Sequence, residues 1–140
     1  MILDFELKEN TIQIKSYEFA LRIISLYRIF CKNNEFILSK QLLRSGTSIG
    51  ANVEEALAGQ SKADFISKMS IASKEARETH YWLRLLRDSR IMDTSETKQL
   101  LAESATMVNI LTAIVKTSTT SATNSKSKIQ NPKLAPKDSL

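Results

Sequence analysis

Apolar residues recur along this chain at alternating steps of three and four, the spacing that gathers side chains on one face of an α-helix. Four segments carry the pattern. In the first, residues 11–33, Tyr17, Ala20, Ile24, Tyr27 and Cys31 define one face, and Phe19, Ile23 and Phe30 widen it. Asn33-Asn34 ends this helix, because Asn tolerates the left-handed conformation of a helix stop. In the second, residues 37–58, Leu38, Leu42, Ser45, Ile49, Asn52, Ala56 and Gly59 form a heptad seam. Its centre, Ser45-Gly46-Thr47-Ser48-Ile49-Gly50-Ala51, is made of small residues with poor helix propensity. Close approach of a neighbouring backbone is the compensation this predicts. Asn52 takes a seam position where an apolar residue is expected, so with Ser45 it is assigned to a polar core that fixes helix pairing by bonding the third helix; the competing reading is a binding pocket.

The third segment, residues 62–90, repeats Phe65, Met69, Ala72, Ala76, Thr79, Leu83 and Leu86. Ser61, with Asp64 three residues on, approximates a capping box at its start. Trp82 and Leu85 fall outside the narrow seam. They are candidates for an oligomer contact; the competing reading is a broad core stripe. The fourth helix starts near Thr94 or Ser95 and fades after about Lys116. Leu101, Val108 and Val115 form one of its columns, Ser104 and Leu111 the next. The remainder is rich in Ser and Thr, then holds both prolines. The expected architecture is all-α: an antiparallel up-down-up-down four-helix bundle over residues 11–119, an N-terminal extension over 1–10, and a disordered basic C-terminal tail over 120–140.

Composition narrows the chemistry. With 140 residues, 42% of them apolar, the chain forms a single domain with one core. One cysteine, Cys31, and one histidine, His80, exclude a disulfide framework and a Cys/His zinc site. A di-iron carboxylate centre, frequent in bundles, needs two Glu-x-x-His motifs, and here Arg77 stands three residues before the lone histidine. The glutamates Glu54, Glu55, Glu75 and Glu78 are read instead as partners of Arg44, Lys74 or Arg77. Cys31 reads as a structural thiol, and no glycine-rich phosphate loop is present. The expectation is therefore no enzyme, no cofactor, no metal and no small-molecule substrate. The N-terminal ten residues lack the features of a secretory signal, and no run approaches bilayer-spanning length, so the expected setting is the cytoplasm with no membrane partner.

The net charge of +5 is unevenly spread. Lys126, Lys128, Lys133 and Lys137 against Asp138 make the tail basic. In the third helix Arg77, Arg84 and Arg87 are spaced seven and three apart and share a face, an arrangement suited to phosphate oxygens. The plain alternative is a solvated helix face.

Three stretches carry a further signal: residues 39–52 (SKQLLRSGTSIGAN), 61–68 (SKADFISK) and 74–86 (KEARETHYWLRLL). Together they closely resemble the bacterial "four helix bundle protein" family, some members of which are encoded in intervening sequences inserted in 23S ribosomal RNA genes. The resemblance spans roughly residues 12–118. It implies a four-helix bundle assembled as a homopentamer, without catalytic residues. The chain is also similar to the accessory variability proteins of diversity-generating retroelements, basic pentameric bundles that associate with a reverse transcriptase and RNA. The reading that follows is a non-enzymatic oligomeric bundle that binds structured RNA or a ribonucleoprotein such as a reverse transcriptase–RNA complex. Arg77, Arg84 and Arg87 would contact phosphate, and Lys126 and Lys128 would add affinity. The alternative is a protein–protein scaffold with no nucleic-acid role, anchored through Trp82 and Leu85.

Overall fold

The computed structural model describes residues 2–138, with side chains placed over 3–123. The basic tail over 120–140, including Lys126 and Lys128, lies almost entirely outside the residues whose side chains are described. Four helices follow in order: α1 (Ile2–Lys32), α2 (Ile37–Leu57), α3 (Lys62–Asp88) and α4 (Ser95–Asp138). Short links join them, and each packs against its sequence neighbours while α1 closes against α4, as in an up-down-up-down bundle.

The caps explain where the helices stop. Asn34 takes a left-handed φ of 59° after α1, a conformation that Asn tolerates. The Ser61 hydroxyl accepts from the backbone N–H of Asp64 at 3.0 Å and starts α3. Thr94 does the same for the N–H of Thr97 at α4. At α2 the cap is Glu35, whose carboxylate accepts from the N–H groups of Leu38 (3.1 Å) and Ser39 (2.9 Å). The link from α2 to α3 requires Gly59. A Cβ there would stand 2.8 Å from Asp64 Oδ2 and 3.0 Å from the Ala56 carbonyl oxygen.

The core is built from heptad seams. On α3 it is Met69, Ala72, Ala76, Thr79, Leu83 and Leu86, all fully buried. On α4 it is Leu100, Ser104, Met107, Leu111, Ile114 and Ser118. That helix therefore continues in register past Lys116, where the sequence pattern predicts it to fade. Ser118 is buried there, and Ser121 accepts from the Lys62 ammonium of α3 at 3.0 Å. Residues Ser95–Thr123 are also apolar and long enough to pass for a membrane span, against the expectation that no run is. Their larger apolar side chains, Leu100, Leu101, Met107, Leu111 and Ile114, are turned into the bundle.

Two sequence expectations change on α1. The helix begins at Ile2, so residues 2–10 of the expected extension are part of it, with Phe5 packed against Phe65 (ring centroids 6.3 Å apart). The buried face is also a different one. Ile12, Ser16, Phe19, Ile23, Leu26 and Phe30 point inward, while Tyr17 is 64% exposed and Ile24 is 38% exposed. The predicted face is thus turned onto a flank: Tyr17 and Ile24 face outward, Ala20, Tyr27 and Cys31 are half-buried, and Phe19, Ile23 and Phe30, expected only to widen the face, belong to the buried seam.

The small-residue centre of α2 behaves as its composition predicts. A Cβ on Gly46 would lie 3.0–3.1 Å from the Ile23 side chain, so α1 and α2 approach where only a hydrogen fits comfortably. Asn52 differs. It is half-buried, with Val53 fully buried beside it, and its Nδ2 donates to the Ser48 carbonyl of its own helix at 2.8 Å. A buried polar link between α2 and α3 is made instead by Thr79 Oγ1 donating to Ser45 Oγ at 2.9 Å.

Candidate nucleic-acid interface

Arg77, Arg84 and Arg87 lie on one flank of α3 by their spacing, and the structure differentiates them. Arg77 is exposed and reaches toward α4, where Nη2 donates to Thr112 Oγ1 at 3.2 Å. Arg84 is exposed, with its guanidinium 5.7 Å from the centre of the Tyr81 ring. That distance suits a cation–π contact, which orients the group and leaves its N–H donors free. Neither makes an ion pair among the described residues. Arg87 is different. Its Nε donates to Asp88 Oδ1 at 2.8 Å, which holds the Asp88 carboxyl below its usual range and cancels much of the arginine's charge.

His80 lies between these arginines, one turn before Arg84. Burial first, then the positive charges of Arg84 and Arg87, lower its pKa from 6.5. At neutral pH it is a neutral imidazole. The surface thus has two unneutralised guanidiniums, an aromatic ring and a neutral histidine, a set that fits an anionic oxygen and has no nucleophile–base pair. Among the described residues no three His, Cys, Asp or Glu side chains gather as metal ligands.

Trp82 lies on the opposite flank, toward α2. Its Nε1 donates to Glu78 Oε2 at 3.0 Å, its ring meets Tyr81 edge-on at 5.2 Å, and its body is partly buried against the core. Glu78 also pairs with Arg44, which reaches Glu75 at 3.4 Å as well. Leu85 is 37% exposed. Trp82 is thus half-buried and hydrogen-bonded within its own chain, and Leu85 beside it is exposed. Of the other two glutamates singled out in the sequence, Glu55 pairs with Lys68 at 3.4 Å and Glu54 accepts from Gln13 at 3.2 Å, so neither meets the expected Arg44, Lys74 or Arg77.

One cluster had no signal in the sequence pattern. Arg22 of α1 spans to α4, donating to Glu96 (3.0 Å), Gln99 (3.2 Å) and Glu103. The partners at steps of three and four on α4 become meaningful only once α1 and α4 are known to be adjacent. Beside them an apolar cleft of about 980 Å³ opens between Leu21, Ile29, Phe30, Ile91 and Met92.

A family model described as 23S rRNA-intervening sequence protein matches residues 8–113. Among solved structures the chain is similar to a protein of unknown function from the S23 ribosomal protein family of Bacteroides thetaiotaomicron VPI-5482. The TM-score is 0.75 at 46% identity, covering 78% of this chain and 98% of that one. No curated protein matches the chain.

Proposed function

The chain belongs to the 23S rRNA-intervening sequence protein family, and from that premise we propose that it is a non-enzymatic, homo-oligomeric bundle of the cytoplasm that binds structured RNA or a ribonucleoprotein. The observation that carries the reading is the pair Arg77 and Arg84, both exposed on one flank of α3 and free of carboxylate partners among the described residues. Such guanidiniums contact phosphate oxygens without reading sequence. The tail lysines Lys126 and Lys128 add non-specific affinity. Arg87, already paired with Asp88, contributes less than its spacing implies.

Fluorescence anisotropy with a structured ribosomal RNA fragment and a DNA duplex, across a salt series, tests it. The expected result is RNA binding that weakens with salt. Arg77→Ala plus Arg84→Ala lowers the log–log salt slope by roughly 1.8, about 0.9 for each phosphate no longer neutralised, while Arg87→Ala changes it less. No binding at low salt refutes the proposal, as does binding that survives the double substitution and vanishes with the tail. The second reading, a protein–protein scaffold, rests on the outward-facing Tyr81 and Leu85, 46% and 37% exposed. It predicts that the double substitution changes no binding property.

A further inference from the structure

The outer face of α3 carries more than its arginines. Lys74, Arg77, Tyr81 and Arg84 follow one another at steps of three, four and three, so they form one stripe along the helix. All four are exposed, and none of the three cations pairs with a carboxylate among the described residues. Asp88, the next position, ends the stripe and is held by Arg87. The acid nearest Tyr81 in sequence, Glu78, is taken up by Arg44 and the Trp82 indole. An aromatic ring thus stands between two free guanidiniums, one turn from each, which are spaced about 10 Å apart along the axis. The exposed Tyr17 has no such setting: Gln13, Ile14, Ala20 and Leu21 lie one turn away from it.

Two neighbours position the ring. Trp82, anchored by its bond to Glu78, meets it edge-on at 5.2 Å, and 46% of Tyr81 remains exposed. The Arg84 guanidinium lies over it at 5.7 Å from the centre, close to the outer limit of about 6 Å for a cation–π contact. A flat, delocalised cation at that distance occupies the place a nucleobase would take, and it leaves at little cost. Phosphate contacts alone need no such ring. In a paired stem the base faces are hidden in the stack, so a ring on a helix surface meets only bases that are unpaired. Stacking also tolerates any base, because each has a π-face. We infer that Tyr81 is a stacking platform for an unpaired base of an RNA loop or bulge, with Arg77 and Arg84 on the phosphates to either side. The inference rests on the RNA reading above and narrows it from structured RNA to the single-stranded parts of such an RNA.

Fluorescence anisotropy of the full chain with two RNAs of one stem sequence tests it: a hairpin with an unpaired loop, and a blunt duplex of equal phosphate number. A 2-aminopurine in the loop reports stacking. At one salt concentration the hairpin is expected to bind about tenfold tighter than the duplex or more, the scale of one stacked base, and its reporter is quenched. Tyr81→Ala abolishes the preference and the quenching, as does Tyr81→Leu, which keeps apolar bulk without a π-face. Tyr81→Phe retains both. None of the three changes the charge, so the salt slope for the hairpin stays, whereas loss of a phosphate contact lowers it. The side chain is exposed, so far-UV circular dichroism of the variants stays that of the parent. Equal binding of the two RNAs, with a slope that falls on Arg77→Ala plus Arg84→Ala, overturns the platform and leaves the RNA reading standing. A hairpin preference that survives Tyr81→Ala overturns the platform as well. No binding of either RNA at low salt overturns both.

Discussion

At the scale of single residues, two glycines one turn apart in α2 carry opposite expectations. Gly46→Ala gains helix propensity of about 1 kcal/mol, but the new methyl meets fully buried Ile23 at 3.0 Å. Ile23 is branched and enclosed, so it cannot yield, and overpacking of this kind costs about 1–3 kcal/mol. The net expectation is destabilisation of about 1 kcal/mol, relieved by Ile23→Val in the same chain. Gly50→Ala meets Ser16 only at 3.4 Å, ordinary contact, so it stabilises by up to about 1 kcal/mol. Urea unfolding of the three variants checks both signs. His80 sets a pH dependence. Its folded pKa is lowered, so between pH 6.5 and that lower value the unfolded chain binds more protons than the folded one. Stability therefore falls as pH drops below 6.5, and His80→Gln flattens that part of the curve.

At the scale of elements, α2 begins without a side-chain cap on Phe36, and Glu35 serves instead. Burial alone would raise its carboxyl, but the N–H groups of Ser39, Leu38 and Ile37 together outweigh that and hold the pKa below 4.5. A lowered carboxylate contributes stability that is intact above 4.5 and lost as pH falls through the folded value. Glu35→Gln should cost about 1 kcal/mol at neutral pH, the usual scale of a cap, and remove the acid-side loss below 4.5, a window separate from that of His80. The helices themselves were legible wherever one heptad dominates: the α3 seam read from sequence is the buried seam apart from Phe65, and the Ser61 cap stands where its spacing placed it. On α1 two heptads compete, and hydrophobicity does not rank them. Tyr17 and Ile24 look as core-like as Phe19 and Ile23 until a neighbour is placed. Asn52 escaped for a related reason, since a seam position one residue from the true one is half-buried and free to bond its own helix.

At the scale of the whole molecule, the three arginines of α3 share a flank as their spacing implies, yet spacing could not rank them. Arg87 is adjacent in sequence to Asp88, and only geometry shows that the two are hydrogen-bonded while Arg77 and Arg84 remain available. Family membership sets the fold; the choice among partners rests on charges that differ in how much of their field reaches solvent.

The Arg22 fork has a consequence for motion. α1 meets α4 less extensively than it meets α2, and among the described residues the side-chain hydrogen bonds between α1 and α4 are those of one guanidinium, shared among Glu96, Gln99 and Glu103 beside an apolar cleft. Ionic joins near the surface weaken with salt, whereas buried apolar seams do not. Amide hydrogen exchange should therefore show the C-terminal half of α1 and the first turns of α4 opening at a lower free energy than α2 and α3, as a cooperative unit of their own. Raising the salt concentration or substituting Arg22→Gln should widen that gap while protection in the α2–α3 pair holds. The bundle would then breathe along a single side, and its least stable edge is set by one side chain.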